Sequence, residues 1–264
     1  MKIIDTHCHV YPDKIADKAS NATGTFYSLA THHNGSVGRL TERGDKAGIS
    51  HYIINSLATT PAQVHAINTF IASVVNSAPE KFTGLGTLHQ DTEDVQSALD
   101  EITSLGLKGV KLHPDIQKVS LSDKRVMRFF EINDGKLPFL VHFGDKRYEN
   151  SNPKEVKPVL ETFKTTQFIG AHFGGWSIWK EASYELYKYD NLMVDCSSSL
   201  YALNPDEAVE LIRLYGADRV MFGTDYPLFD PIEEVERFNR LKLTDEEREK
   251  ILYKNAVRLY GIKL

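Results

Sequence analysis

The chain has 264 residues, of which 41% are hydrophobic and 25% are charged, and its formal net charge is −5. This length suits two small domains or one large α/β barrel, and the mild acidity gives no electrostatic basis for binding nucleic acid or an anionic membrane. No apolar run approaches the roughly 20 residues that span a bilayer, and the first residues lack the apolar core of a secretion signal. Two cysteines are too few for a disulfide framework. We therefore expect a cytoplasmic protein.

Short apolar segments alternate along the chain with longer segments of helical periodicity. We predict strands over residues 3–7, 51–55, 82–88, 107–112, 138–142, 167–172, 191–195 and 219–223. We predict helices near residues 38–47, 61–78, 92–105, 122–134, 154–164, 176–189, 205–216 and 231–240. This alternation of eight strands with helices predicts an α/β fold, a single-domain (β/α)8 TIM barrel over residues 1–264.

The first strand leads into the sequence DTHCHV, residues 5–10, which carries two histidines two positions apart. Side chains of a strand alternate between its two faces, so His7 and His9 point to one face and Cys8 to the other. Two imidazoles on one face of a strand end fit a metal site, and they also fit two surface histidines near a terminus. The residue types at the ends of the later strands distinguish between these alternatives.

Residues 11–37 do not fit the alternation of strand and helix patterns, because the segment is polar and rich in small residues. In a barrel this segment follows the carboxyl end of the first strand, where barrel enzymes bind their substrates. We interpret it as a lid-like loop that shapes substrate choice, with a loop of no special function as the alternative. His32 and His33 in this segment could contact a substrate or be solvated surface histidines.

Polar residues also follow the apolar part of several later strands. The fourth strand leads to Lys111 and His113, the fifth to His142, the sixth to His172 and the eighth to Asp225. In a closed barrel these ends converge on one mouth, although the residues are far apart in sequence. Imidazoles with a carboxylate form a mixed nitrogen and oxygen donor set that suits zinc, with manganese, iron or cobalt as substitutes. The pattern therefore predicts a catalytic metal site.

Neighbouring residues are candidates for binding the substrate. Lys111 and His113 share one face of their strand, and Lys111 could pair with a substrate carboxylate. Arg147 follows the fifth strand and could bind a carboxylate or hydroxyl group, or lie in a surface loop. Trp176 could stack on a flat ligand or pack a helix onto the barrel. Asp195, at the end of the seventh strand, either faces the lumen or braces the barrel.

The serines at 197–199 have no partnered base in the sequence pattern. The chain also lacks a Gly-x-Ser-x-Gly elbow, a P-loop, a Gly-x-Gly-x-x-Gly fingerprint and a His-Glu-x-x-His helix. These absences from the sequence exclude the serine-hydrolase, nucleotide-binding and zincin classes.

The last segment of the chain, TDEEREKILYKNAVRLYGI, predicts an additional amphipathic helix. Thr244 followed three residues later by Glu247 is a capping box, which marks the start of a helix. The apolar residues that follow recur at helical spacing. We therefore expect a C-terminal helix beyond the eight strand–helix repeats.

Seven motifs follow one another along the chain: DTHCHV, LGLKGVKLHPD, LPFLVHFGD, FIGAHFGGW, NLMVDCSSS, VMFGTDYP and EEREKILYKNAVRLYGI. In this order they resemble the amidohydrolase superfamily, and within it the amidohydrolase 2 group of metal-dependent barrel enzymes. The resemblance implies that the metal ligands are His7, His9, His142 and Asp225, with His172 beside the metal. The same group contains hydrolases of C–N and C–O bonds, and also decarboxylases and hydratases of small carboxylic acids.

We therefore predict a hydrolase in which one divalent metal, expected to be zinc, activates water to cleave a C–N or C–O bond of a small organic substrate. Asp225 would also accept the proton of that water, and His172 would orient the water or stabilise the developing oxyanion. A second metal, bridged by a carboxylated Lys111 as in some members of the superfamily, is the less favoured arrangement.

Two other functions remain open at this stage. The first is a non-oxidative decarboxylase or hydratase that uses the same metal site, which a basic residue such as Lys111 or Arg147 placed on a substrate carboxylate would favour. The second is a metal-binding or sensory module without turnover. In each case we expect a small-molecule partner and neither nucleic acid nor membrane, and a homodimer is compatible with such a barrel.

Overall fold

The computed structural model describes residues 1–263 as an α/β protein of parallel strands and helices. The strands are β1 (Ile4–His9), β2 (His51–Asn55), β3 (Phe82–Gly84), β4 (Gly86–Thr87), β5 (Val110–Leu112), β6 (Phe139–Val141), β7 (Phe168–Gly170), β8 (Leu192–Asp195) and β9 (Val220–Met221). The helices are α1 (Asp13–Tyr27), α2 (Val37–Lys46), α3 (Val64–Ser77), α4 (Val95–Ser104), α5 (Pro114–Gln117), α6 (Lys124–Asn133), α7 (Pro153–Thr162), α8 (Trp179–Leu186), α9 (Pro205–Tyr215), α10 (Pro231–Asn239), α11 (Asp245–Glu249) and α12 (Asn255–Tyr260). Within residues 1–263 no helix is both long enough and apolar enough to cross a membrane.

Each of the eight predicted strands overlaps a strand of the structure, and each predicted helix is present within a few residues of its expected bounds. The third predicted strand, 82–88, is divided at Leu85 into β3 and β4. β3 belongs to a sheet in the order β1-β2-β3, whereas β4 begins a second sheet. The two pieces are separate strands because each has its own hydrogen-bonding partner.

The insertion after the first strand is present, but much of it is helical and not the loop that its composition predicts. Helix α1 takes up 15 of its residues. The buried positions of this helix are Ala16, Ser20, Gly24 and Tyr27, which lie three or four residues apart. Such spacing places them on one face of a helix. Because three of the four are small or polar, the helical period does not appear as a hydrophobic pattern in the sequence.

The described residues fall into two compact units, of which the first comprises Met1–Asn55, Ala78–Thr83 and the chain from Cys196 onward. In this unit β1 pairs in parallel with β2, so that His9 lies opposite Asn55. The backbone amides of Thr6 and His9 donate to the carbonyls of Phe222 and Tyr226 at 2.9 and 2.8 Å. The strand that carries DTHCHV therefore lies between β2 and the segment that leads to Asp225.

The predicted C-terminal helix is confirmed, together with its capping box. Thr244 accepts from the backbone of Glu247, and the Glu247 side chain accepts from the backbone of Thr244. The helical segment continues from α11 through a π-helical turn over Lys250–Lys254 into α12. The carbonyl of Ile251 in this turn accepts from the backbone amide of Phe222 at 3.0 Å. The helix thereby fixes the backbone that follows β9.

The second unit comprises Ser56–Ser77 and Gly84–Asp195. Five of its strands form a parallel sheet in the order β4-β5-β6-β7-β8. The ring of Phe130 packs edge-on against the rings of Phe139 and Phe168, with its centroid 4.8 and 5.0 Å from theirs. This contact packs α6 onto the sheet. Since parallel strands share one carboxyl edge, His142 and His172, which follow β6 and β7, are delivered to the same edge.

Candidate metal centre

Three of the predicted metal ligands lie together in the first unit. The Nε2 atoms of His7 and His9 are 3.1 Å apart. The Oδ1 atom of Asp225 lies 3.5 Å from the first of these nitrogens and 3.3 Å from the second. Two imidazole nitrogens and one carboxylate oxygen thus form a nearly equilateral triangle.

This triangle fits a transition-metal ion. Protein nitrogen and oxygen ligands bind zinc at about 2.0 to 2.2 Å, so donors that share one ion lie about 3.0 to 3.6 Å apart. All three measured separations fall in that range. His7 is buried, whereas the side chain of His9 keeps 12% of its surface exposed. Of the three side chains, that of His9 is the most exposed.

The triangle forms because two backbone segments approach closely. The alternation of β1 puts His7 and His9 on one face, as the sequence predicts. Asp225 has a positive φ of 59° and donates its backbone amide to the carbonyl of His7 at 2.9 Å. Gly223 permits this approach, since a Cβ at that position would lie 2.9 Å from the Cβ of His7.

Asp5 ties the same two segments together. Its carboxylate accepts from the backbone amide of Thr224 at 2.9 Å and from the Thr224 hydroxyl at 2.6 Å. It also accepts from the amide of His7 at 3.2 Å. Burial raises the pKa of Asp5 to about 6, although the hydrogen bonds from Thr224 and His7 act in the opposite direction. Asp5 opens the DTHCHV motif but is not among the residues predicted for the site.

Asn55 is a second residue that the sequence analysis did not identify. It ends β2 directly opposite His9, so its side chain lies on the same face of the sheet as the imidazole. The residue is completely buried, and neither Oδ1 nor Nδ2 has a hydrogen-bond partner among the described residues. A buried amide without partners is costly, so this position favours a ligand that supplies both an acceptor and a donor. A polar residue directly after the apolar run YII of this strand was the available sequence indication.

A second group of polar side chains lies in the second unit. One donor atom each from His113, Asp115 and His142 lie within 4.8 Å of one another, and all three residues are buried. The imidazoles of His113 and His142 stack with centroids 4.0 Å apart. His142 Nδ1 also lies 3.1 Å from the Nε2 atom of His172. The predicted residues His113, His142 and His172 are thus neighbours, and Asp115 joins them although the sequence analysis did not single it out.

Asp115 is held by hydroxyl and amide groups. Its two oxygens accept from Asn150 Nδ2 at 3.0 Å and from Ser151 Oγ at 2.9 Å. Burial raises its pKa to about 6 against the effect of these bonds. The Oδ2 atom lies 3.9 Å from His142 Nε2.

His172 lies in a strained turn directly after β7. Its φ is 60° and that of Phe173 is 53°, which is the left-handed region that ordinary side chains rarely adopt. Its backbone amide donates to Asp195 Oδ1 at 3.1 Å. Asp195 therefore holds the turn that carries His172. Strain of this kind persists where surrounding contacts fix the backbone.

The candidate substrate-binding residues have definite surroundings in the second unit. Lys111 is completely buried in β5. The Arg147 guanidinium pairs with the buried Asp145 carboxylate at 2.6 Å and lies over the ring of Trp176, with the guanidinium carbon 5.4 Å from its centroid. Trp176 is itself buried, at 8% exposure. Their assignment to substrate binding stays a prediction.

The two histidines of the insertion differ in role. His33 Nε2 lies 2.7 Å from the Asp230 carboxylate, which also accepts from Arg43 at 2.8 Å. The backbone amides of His32 and His33 donate to the carbonyl of Pro227 at 3.1 and 3.2 Å. These bonds fasten the insertion to the segment that follows Asp225, whereas the side chain of His32 remains 39% exposed.

Comparison with known proteins gives one family and several structures. A family model described as amidohydrolase matches residues 4–262. No curated protein matches the chain. An uncharacterised TIM-barrel protein from Bordetella bronchiseptica is 21% identical, with a TM-score of 0.80 and 99% of each chain covered.

Two further solved structures are similar over their whole length. A provisionally assigned 2-pyrone-4,6-dicarboxylic acid hydrolase from Pseudomonas putida is 20% identical, with a TM-score of 0.70 over 99% of this chain and 98% of that one. A dihydroxybenzoic acid decarboxylase from Polaromonas sp. JS666, solved with manganese and the inhibitor 2-nitroresorcinol, is 16% identical, with a TM-score of 0.74 over 98% and 97%. At these identities the likeness shows the fold alone, and it confirms the predicted TIM barrel.

Proposed function

This chain belongs to the amidohydrolase family, an enzyme family, and from that premise we propose that it is a metal-dependent hydrolase that cleaves a C–N or C–O bond of a small organic substrate. The observation that carries the proposal is the triangle of donor atoms from His7, His9 and Asp225, with sides of 3.1 to 3.5 Å. His142 stays the predicted fourth ligand on the strength of its LVHFGD motif.

Zinc is the metal that we propose first, because two imidazoles and one carboxylate are the donor types it takes in catalytic sites. Manganese is the second choice, since the decarboxylase of the same fold was solved with it. When bound, the ion supplies a Lewis acid, which lowers the pKa of a water molecule or polarises an oxygen of the substrate.

The residues of the chain supply the remaining steps of hydrolysis. Asp225 accepts the proton of the attacking water in its carboxylate and returns it to the departing nitrogen or oxygen atom. His172 orients the water or donates a hydrogen bond to the oxyanion that develops on the substrate. Asn55 binds a substrate group that presents an acceptor and a donor side by side, such as an amide or a hydroxy acid, which would satisfy both of its side-chain atoms.

Non-oxidative decarboxylation of a small carboxylic acid is the second candidate, and the fold of the dihydroxybenzoic acid decarboxylase favours it. A basic side chain positioned on the substrate carboxylate would favour that reaction, and Lys111 and Arg147 are the candidates. Arg147 already pairs with the buried Asp145 carboxylate, so much of its charge is compensated. Lys111 remains a candidate for that role, and we place hydrolysis first because the donor triangle suits an ion that activates water.

A panel of small lactones, amides and hydroxylated aromatic acids tests the choice, with the protein assayed before chelation, after chelation and after zinc or manganese is restored. We expect turnover of a lactone or amide that follows the metal content and releases no carbon dioxide. Release of carbon dioxide from an aromatic acid would establish the second candidate. Turnover that persists in chelated, metal-free protein would contradict both.

A further inference from the structure

The three consecutive serines after β8 are all buried, and each hydroxyl has its own partner. Ser197 Oγ lies 3.0 Å from His7 Nδ1. Ser198 Oγ donates to Asp225 Oδ2 at 2.5 Å. Ser199 Oγ donates to the backbone carbonyl of Ser197 at 2.9 Å. The first two hydroxyls thus contact the two side chains that, with His9, form the candidate metal triangle.

We propose that Ser197 and Ser198 are positioning residues, which hold His7 and Asp225 in the geometry that binds the metal. The inference rests on the proposed function, because it assigns these serines a role toward the ion of that site. Groups that bond the outer atoms of metal ligands fix both their orientation and their protonation. In the sequence the serines have no partnered base, and the structure supplies their partners.

Ser197 acts on the tautomer of His7. An imidazole binds a metal through a nitrogen that carries no proton, so Nε2 is available only when the proton is on Nδ1. In that tautomer Nδ1–H donates to Ser197 Oγ at the observed 3.0 Å. Nε2 then presents its lone pair toward His9 and Asp225, which lie 3.1 and 3.5 Å away.

Ser198 acts on the two oxygens of Asp225. Its hydroxyl donates a hydrogen bond to Oδ2, while Oδ1 faces the imidazoles of His7 and His9. This arrangement keeps the carboxylate from rotating and presents one oxygen to the ion. Ser198 reaches the carboxylate from a backbone with a φ of 46°, a conformation that a serine adopts at some cost. The close approach of Gly223, whose added Cβ would lie 3.2 Å from that of Ser197, keeps the serine run against the triangle.

The experiment compares zinc affinity among single alanine variants of the full-length chain, measured by competition with a chromogenic chelator. We expect Ser197→Ala and Ser198→Ala to bind zinc about 10- to 100-fold more weakly than the wild type, as for other groups that support metal ligands. Ser199→Ala is the matched control, because it removes a neighbouring buried hydroxyl that bonds a backbone carbonyl. Its zinc affinity should stay within about threefold of the wild type.

Two further measurements separate positioning from folding. Thermal unfolding of the metal-free variants shows whether each is folded, and long-range ¹H–¹⁵N correlation spectra report which nitrogen of His7 carries the proton. We expect Ser197→Ala to remain folded and to shift His7 away from the Nδ1–H tautomer, and Ser197→Thr, which restores a hydroxyl, to recover affinity and tautomer. If Ser197→Ala does not fold, the spectrum of the wild type decides, because a proton on Nε2 in the metal-free protein contradicts the role of Ser197.

The failure of this inference is distinguishable from failure of the proposed function. If the wild type binds no zinc, the proposed metal site itself is wrong. If the wild type binds zinc and the folded Ser197→Ala and Ser198→Ala variants bind it equally well, the site stands and the positioning role is overturned. Equal losses in all three alanine variants would likewise assign the effect to general packing and overturn it.

Discussion

The two groups of polar side chains in this protein are built in different ways. In the triangle of His7, His9 and Asp225, one atom of each residue faces a common point, with separations of 3.1 to 3.5 Å. In the group of His113, Asp115 and His142, the two imidazoles stack face to face with an angle of 6° between their planes.

The atoms around these groups differ as well. The outer atoms of the triangle bond to Ser197 and Ser198, which leaves the inner atoms directed at one another. In the second group Nδ1 of His113 accepts from the amide of Ile116 at 3.3 Å, and both oxygens of Asp115 accept hydrogen bonds. The inner atoms of the first group therefore lie at the separations of donors that share one ion, whereas the second group has stacked imidazoles and ligand atoms that lie within 4.8 Å of one another.

The most severe way to test this contrast is to remove one charge from each group. We expect Asp225→Asn to lose bound zinc and to lower turnover by at least about 10²- to 10³-fold, since it removes both an anionic ligand and the proton acceptor. Asp115→Asn is the matched variant of the second group and should retain the zinc content of the wild type. Elemental analysis and turnover of both variants check the prediction. Equal zinc loss in both would mean that the two groups do not differ as described.

His172→Asn tests the catalytic role proposed for His172, the neighbour of His142 in the second group. We expect the variant to keep its zinc and to slow turnover by about 10²-fold, because it removes the imidazole that orients the water or donates a hydrogen bond to the developing oxyanion. The measurement is turnover at saturating substrate, together with metal content. Loss of the metal in this variant would instead make His172 a ligand.

Gly223→Ala tests the close packing beneath the triangle. The new methyl would lie 2.9 Å from the Cβ of His7, so we expect the free energy of unfolding to fall by about 1 to 3 kcal/mol, together with weaker zinc binding. Gly38→Ala in α2 is the control, because within residues 1–263 its added Cβ has no atom within 4 Å other than those of its chain neighbours and its own helix backbone. This change should leave zinc binding unaltered and stabilise the protein by about 0.5 to 1 kcal/mol. Urea unfolding of both variants provides the comparison.

Asn55→Ala tests the substrate side of the first group. We expect KM to rise by about 3- to 10-fold with little change in zinc content, which corresponds to one lost hydrogen bond. Steady-state kinetics with the best substrate of the panel measure the change. An unaltered KM would assign the buried amide to bound water.

The smallest expected effect concerns Glu234, a buried carboxyl of the first unit that pairs with Arg237. Burial raises the pKa of Glu234 to about 7 from a usual value of 4.5. Between these values the folded protein binds more protons than the unfolded chain, so the free energy of unfolding decreases as pH rises. We expect Glu234→Gln to flatten this slope between about pH 5 and 7 in urea unfolding. An unchanged slope would mean that other groups dominate the pH dependence.

Most of the fold was predictable because its strands are short apolar runs and the helices outside the insertion have a clear period. The insertion was misjudged because the buried face of α1 consists mainly of small residues such as Ala16 and Gly24. Alternation along β1 predicted that His7 and His9 share a face. The partners Ser197 and Ser198 were beyond prediction, since their bonds to His7 and Asp225 join residues 190 and 27 positions apart. A polar residue after the apolar run YII was a weak sequence indication for Asn55, and its role became evident because its buried amide has no hydrogen-bond partner among residues 1–263.

The most direct test of the central claim is a crystal structure of the zinc-loaded protein, with data collected at the zinc absorption edge. The account predicts an anomalous peak at about 2.0 to 2.2 Å from His7 Nε2, His9 Nε2 and Asp225 Oδ1. A peak confined to His113, Asp115 and His142, or the absence of any peak at full zinc loading, would contradict it.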